Sequence, residues 1–446
     1  MTAEEKKDEL LSSWKEIAEY LKCDLRTCRR WEENRGLPVH RLEGTPRSRV
    51  FAYTNELDDW VKKRNGKNGE SGYSRTGAAV PLAKTYYLLI LLVLIGVPSL
   101  YLFVIKPYLR PPVSYDFKIE RSELVILDKK GDELWRYDTG REDLEDEAVY
   151  RSGFQTKKPG LASKARILPL LIIKDINNDK KKEVIIAVRT KDEMEEGDLH
   201  CFDRRGRELW SHELGKEMKF GSKTYSNDYM VKGFDAADLD GDGRLETLAI
   251  GYHRPDWPTQ VVLLSAEGAV LAEYWHCGQI NDYTFADIDW DGREEILLAG
   301  INNEYGKGCL AVLDAETMGG SSPQIRDEFK SPGLEPGSEK YYLLIPRTDV
   351  DMLNYPVEAL SKLDLHAGNQ VSVETLITGL YYFFDYNLRV KDITVSHGFM
   401  QMHNSAVLER KISSVLDDLY IEELKKGILY YDGSGWTSDP TSVSRR

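Results

Sequence analysis

Cysteine is scarce in this chain: Cys23, Cys28, Cys201, Cys277 and Cys309 are spread over 446 residues. That number and scatter exclude a disulfide scaffold or a zinc cluster, and Cys23 and Cys28 read as core and turn residues of a small front domain. The marks of catalysis are also missing. No nucleophile elbow, zincin helix, phosphate loop or dinucleotide glycine motif occurs, so the sequence argues against an enzyme. Charge is absent from Thr85 to Ile105, TYYLLILLVLIGVPSLYLFVI, between Lys84 and Lys106. A buried helix of a soluble domain would normally carry polar residues on one face. About 20 apolar residues rising 1.5 Å each cross a hydrocarbon core of roughly 30 Å, so this run predicts one transmembrane helix at 85–105. Gly96 and Pro98 are tolerated in such helices, and Tyr86, Tyr87 and Tyr101 stand near its ends, where aromatic belts belong. The run is too long, and lies too far behind the start, for a cleaved signal peptide.

Charge divides the chain at the same place. Before Thr85 there are 17 Lys+Arg against 14 Asp+Glu, a balance of +3, so a net charge of −14 leaves −17 for the remainder. Only the front part suits a polyanion. The chain is long enough for a small domain, a membrane helix and a large domain, each with its own core.

In the front part, Ser13 followed by Trp14, Ile17, Ala18 and Leu21 predicts a capped amphipathic helix. Lys22 and Cys23 make a turn, Asp24 caps a second helix, and Leu25, Cys28 and Trp31 form its buried stripe, leaving Arg26, Thr27, Arg29 and Arg30 outward. After a stop at Gly36 to Pro38, VHRLEGTPRSRVFAY holds two short extended runs with Arg47 and Arg49 at their rim, and Thr54 starts a closing helix through Leu57, Trp60 and Val61. The stretch from residue 11 to 63 resembles the winged-helix DNA-binding domain of the MerR and excisionase type. That resemblance implies a recognition helix from Asp24 to Asn34 in the major groove and a wing against the backbone or minor groove. The helical positions put Arg26, Thr27 and Arg30 on one edge toward base edges, with Arg29, Arg47 and Arg49 better placed for phosphate. The alternative is a solvated or protein-docking module, and Glu32, Glu33 and Glu43 dilute the positive field. Where MerR-type regulators continue into a dimerising helix, this chain has a Gly-, Asn- and Ser-rich linker over 64–84.

Behind the apolar run, three segments share one spacing: DINNDKKKE from Asp175, DLDGDGRLE from Asp238 and DIDWDGREE from Asp287. Oxygen ligands stand at positions 1, 3, 5 and 9: Asp175, Asn177, Asp179 and Glu183; Asp238, Asp240, Asp242 and Glu246; Asp287, Asp289, Asp291 and Glu295. Carboxylates alternating in a tight loop suit a hard cation such as Ca2+, at up to three sites. An EF-hand is excluded, because its position-12 Glu is replaced by Ile186, Ala249 and Leu298. The plainer alternative is that these aspartates only satisfy turn backbone. The first copy has Lys180 where the others have glycine. The segments resemble the FG-GAP or VCBS calcium loops of integrin-like β-propellers, in which the loop joins two strands of a blade.

A second repeat lies between the loops. LVILDKKGDELWRYDTG, LHCFDRRGRELWSHELG and VVLLSAEGAVLAEYWHCG each hold a strand, a turn at Gly131, Gly206 or Gly268, and a strand ending in Trp135, Trp210 or Trp275. Recurring hairpins indicate a propeller over 106–446, with GILYYDG closing the ring on the first blade and a helical insertion from Val407 to Lys426. The fold class expected is multidomain: a small α+β winged helix-turn-helix, a single transmembrane helix and an all-β propeller of about 5–7 blades. Loops at GYHRPDWPTQ and GINNEYGKGC present His253, Arg254, Trp257, Asn302, Asn303 and Tyr305 for a sugar or peptide, or are ordinary loops with one packed tryptophan. His397, Met400, Met402 and His403 read as packing rather than a copper site.

Lysine and arginine counts flanking the apolar run nearly tie, so orientation follows from function: DNA inside, calcium outside. The expected protein is a single-pass inner-membrane regulator resembling the ToxR type in layout. Its partners are DNA, the lipid bilayer, an unknown extracytoplasmic ligand or protein, and a second copy on DNA. The alternative is an adhesion or assembly propeller whose front domain docks protein.

Overall fold

The computed structural model describes residues 9–41, 50–65, 94–96, 98–99, 113–154, 168–191, 197–254, 257–441 and 443. Contacts divide the chain into two units, Met1–Val104 and Ile105–Arg446.

The smaller unit runs β1 (Leu10–Leu11), α1 (Trp14–Tyr20), α2 (Leu25–Arg35), β2 (His40–Arg41), β3 (Val50–Tyr53) and α3 (Thr54–Asn65). Ser13 caps α1 by accepting the Glu16 N–H, and Asp24 caps α2 by accepting the Thr27 N–H at 2.8 Å. Gly36, in the left-handed region at φ 61°, ends α2. The strands form an antiparallel sheet in the order β1-β3-β2. Leu11, Ile17, Ala18, Cys28, Leu37, Ala52 and Leu57 make the core, with Trp14, Trp31 and Trp60 packed on it. Leu25, expected in that core, is the first residue of α2 and is 46% exposed. The hairpin tip with Arg47 and Arg49 lies outside the described residues, as does the linker from 66 to 84.

The expected membrane span is corrected. Among the described residues no helix is long and apolar enough to cross a membrane. Among the described residues the longest helices reach 12 residues, or about 18 Å at 1.5 Å per residue, well short of a bilayer core. Of the run from Thr85 to Ile105, residues 94–96 and 98–99 are described, as helical, and the rest lies outside the described residues. The single-pass inner-membrane assignment is withdrawn on this finding.

The larger unit is mostly β. Its first sheet is β4 (Asp116–Glu120), β5 (Glu123–Leu127) and β6 (Glu133–Asp138), followed by α4 (Glu147–Phe154). The second is β7 (Leu171–Lys174), β8 (Glu183–Val188), β9 (Asp198–Phe202) and β10 (Glu208–Glu213); a small hairpin, β11 (Met218–Phe220) and β12 (Lys223–Tyr225), comes next. The third is β13 (Tyr229–Ala237), β14 (Glu246–His253), β15 (Thr259–Leu264) and β16 (Val270–His276). The fourth opens with β17 (Ile280–Ala286), β18 (Glu295–Asn302), β19 (Lys307–Leu313) and β20 (Tyr341–Leu344). After α5 (Asp349–Asn354) the fifth is β21 (Leu360–His366), β22 (Gln370–Thr375), β23 (Leu380–Asp385) and β24 (Val390–Val395). Then come α6 (His397–Leu408), α7 (Asp418–Lys426), β25 (Leu429–Tyr431) and β26 (Trp436–Thr437).

Apart from the fourth, whose edge is extended by β25 and β26, each sheet is an antiparallel meander of strands consecutive in sequence. Inner strands such as β15, TQVVLL, and β18, EILLAGIN, are buried at every position, because they are covered on both faces by neighbouring sheets. One apolar cluster joins the first three sheets, another the third and fourth, and another the fourth and fifth. Consecutive meanders stacked face to face make the fold propeller-like. The hairpin repeat supplies part of the stacking. A Cβ on Gly206 would come within 2.7 Å of the Trp135 ring, and one on Gly268 within 2.5 Å of the Trp210 ring, while Trp210 Nε1 donates to the Ala266 carbonyl at 3.0 Å.

Two further expectations are corrected. β25 does not close a ring on the first sheet: it pairs with β20, Leu343 opposite Tyr430 and Leu344 opposite Leu429, and so extends the fourth sheet to six strands. The helical stretch begins at His397, capped by the Ser396 hydroxyl, rather than at Val407. The expected fold class, a winged helix-turn-helix with a transmembrane helix and a propeller, is therefore replaced by a small mixed unit and a mostly β, propeller-like unit.

Candidate functional site

The three acidic segments form the connections β7–β8, β13–β14 and β17–β18. Their aspartates fold the loops by taking backbone N–H groups a few residues ahead. Asp238 accepts from Gly241 at 2.8 Å and Gly243 at 3.0 Å, Asp240 from Asp242 at 3.0 Å, Asp242 from Arg244 at 2.7 Å, and Glu246 from Leu239 at 2.9 Å. Asp287, Asp289, Asp291 and Glu295 repeat the pattern, and so do Asp175, Asn177, Asp179 and Glu183. The sixth position is left-handed in all three: Lys180 at φ 66°, Gly243 at 85° and Gly292 at 93°. Only the first loop meets this with a side chain, at a cost of roughly 1–2 kcal/mol.

The loops then diverge. In the second, ligand oxygens of Asp238, Asp240 and Glu246 all lie within 4.8 Å of one another. Glu246 is 5% exposed; burial holds its carboxyl above the usual range, and the Asp240 and Asp242 charges add to this. Such a concentration of anionic oxygen fits a hard dication. In the third, Asp287, Asp289 and Asp291 converge equally closely, but the Lys340 ammonium enters from the strand connection before β20. In the first, among the described residues, no three carboxylates converge in this way. Asp179 is paired with Lys181 at 2.6 Å, and burial next to Asp179 and Asp175 pushes Glu183 up to about 7. Beside it opens a cavity of about 290 Å³, lined by the first loop and by Asp203, Arg204, Arg205 and Arg207 of the β9–β10 turn. The fit to a metal is therefore best at the second loop.

On α2, Arg26, Arg29 and Arg30 are exposed, because Cys28 and Trp31 face the core. Among the described residues the Arg26 and Arg30 side chains form no hydrogen bond or ion pair, whereas the Arg29 guanidinium sits 5.8 Å from the Trp14 ring centroid. The Thr27 hydroxyl donates to Asp24 at 2.7 Å, so it belongs to the helix cap.

The six loop residues expected at a ligand site fall into two sets of packing contacts. Trp257 lies between Phe220, Tyr225 and Phe329, with ring centroids 5.6, 5.1 and 5.4 Å away. His253, where burial lowers the pKa, meets the Ser226 hydroxyl at 3.1 Å, and Arg254 follows it. Asn302 is fully buried: its amide donates to the Tyr342 hydroxyl at 3.0 Å and accepts the Glu304 N–H at 3.1 Å. Tyr305 accepts from Trp436 at 2.9 Å, and the Asn303 N–H donates to the Cys277 carbonyl. His403 is also buried, bonded to the Ser414 hydroxyl at 3.1 Å. Sequence reasoning missed Lys340 and the β11–β12 aromatics; the local spacing of neither carries a signal.

No family model matches the chain, and no curated protein matches it. Solved structures similar to it include the Dos1 propeller, 10% identical over 62% of this chain and 65% of that one, with a TM-score of 0.31. BBS1N in complex with ARL6DN is 9% identical over 65% of this chain and 71% of that one, at 0.32, and Bacillus licheniformis rhamnogalacturonan lyase PL11 is 12% identical over 51% and 42%, at 0.30. The chain thus spans less than two thirds of the first of these structures. At such scores the likeness carries no argument, and the propeller-like character rests on strand order. Nothing in the comparisons supports a winged helix-turn-helix or a ToxR-like layout.

Proposed function

We propose that this chain is a DNA-contacting regulatory protein whose larger unit is a calcium-rigidified scaffold for a ligand or partner, without catalysis of its own. The observation that carries the scaffold reading is the convergence of Asp238, Asp240 and the buried Glu246 within 4.8 Å. These residues would hold Ca2+, which when bound supplies charge neutralisation and stiffens the β13–β14 connection rather than activating a substrate. Supporting the DNA reading is the exposed arginine edge of α2, where a guanidinium fork suits guanine and phosphate.

Retardation of DNA fragments by the full chain tests the DNA reading. Binding is expected to weaken steeply with salt and to be abolished in the R26A/R30A double variant. Salt-insensitive or variant-insensitive retardation, or none, would remove DNA and leave a protein-docking role for the smaller unit.

A further inference from the structure

Position by position the second and third acidic loops are alike, yet one of them already contains a cation. Lys340 lies in the connection between β19 and β20, and its side chain is 11% exposed. Its Nζ donates to Glu295 Oε1 at 2.6 Å and Asp289 Oδ2 at 2.9 Å, and stands 3.1 Å from Asp314 Oδ2. An ammonium has three N–H donors and no acceptor, so these three oxygens saturate it. Two of them belong to the loop's own ligand positions, 3 and 9.

The remaining oxygens accept backbone N–H groups at the same loop positions as their counterparts in the second loop, so the lysine is what distinguishes the two. Both Asp287 oxygens accept backbone N–H groups, from Trp290 and Gly292; Asp291 Oδ1 accepts from Arg293 and Glu295 Oε2 from Ile288. Calcium needs 6 to 8 oxygens and would sit beside a fixed positive charge. In the second loop, among the described residues, no side-chain cation bonds Asp238, Asp240 or Glu246, and the neighbouring Arg244 pairs outward with Glu267.

We propose that Lys340 takes the place of the metal at the third loop, so that of two matching acidic loops the second alone binds calcium. This rests on the reading that the second loop is a calcium site. The lysine is a covalently tethered counter-ion, independent of calcium concentration.

Calcium titration of the intact chain by isothermal calorimetry tests it. The unaltered protein is expected to bind one ion, lost in Asp240→Asn and held with less than a twofold change in Kd in Asp289→Asn. Lys340→Met is expected to gain a second ion, lost again when Asp289→Asn is added. A calcium site in the unaltered chain that Asp289→Asn removes, or a Lys340→Met protein with no added site, overturns the proposal. Failure of the unaltered chain to bind any calcium would instead overturn the second-loop reading, with the gain in Lys340→Met still deciding the role of Lys340. Should Lys340→Met not fold, the Asp289→Asn arm, which keeps the lysine, decides between support and refutation.

Discussion

The second and third acidic loops present the same four oxygen-bearing residues on the same backbone frame, but differ in what balances the charge. Around Asp238, Asp240 and Glu246 no side-chain cation among the described residues supplies the balance; around Asp289 and Glu295 it comes from Lys340. Identical local patterns therefore do not imply identical ligands, because a single side chain arriving from another strand connection can satisfy what the loop itself leaves open.

The largest effect separating the loops is expected from Lys340→Met in chelator. Removing one partner of a buried ion cluster leaves uncompensated carboxylates and should cost about 3–5 kcal/mol, read as a lowered denaturant midpoint. Next comes chelation of the unaltered protein. Loss of a ligand present at 100 times its Kd lowers apparent stability by about 2.7 kcal/mol, and Glu246→Gln should make the melting temperature indifferent to calcium. A smaller, pH-dependent effect comes from the first loop. Glu183 is raised from 4.5 to about 7 in the folded state, so the native protein holds its proton more tightly than the unfolded chain. Its contribution is fully present below pH 4.5 and is lost as the pH rises through about 7, so metal-free thermal stability should fall across that window and Glu183→Gln should flatten the fall. The smallest is Lys180→Gly, which relieves a left-handed lysine at φ 66° and should stabilise by about 1 kcal/mol in urea unfolding.

Much of the loop architecture was legible because its hydrogen bonds are short in sequence: Asp238 reaches only to Gly243, and Asp287 only to Gly292. The hairpin glycines and the tryptophans at 135 and 210 were legible for the same reason, since a turn and its strands are local. What escaped depends on distant arrivals. Lys340 reaches Glu295 from 45 residues away, and Phe329 stacks on Trp257 from the far side of a long connection. Asn302 looked like a loop amide but ends β18, where His276 and Tyr342 close over it. The run from Thr85 to Ile105 read as a membrane span on hydropathy alone, whereas among the described residues no helix is long and apolar enough to cross a membrane.

Trp135 rests on Gly206 and Trp210 on Gly268, each tryptophan belonging to the sheet before the glycine that receives it. A methyl group added at either glycine would strain its own turn, at φ 76° or 81°, and would also disturb an indole at least 58 residues upstream, as the spacing from Trp210 to Gly268 requires. Intrinsic fluorescence of such a variant would report injury in the preceding sheet, and anyone mapping damage by position along the chain would look one blade too late.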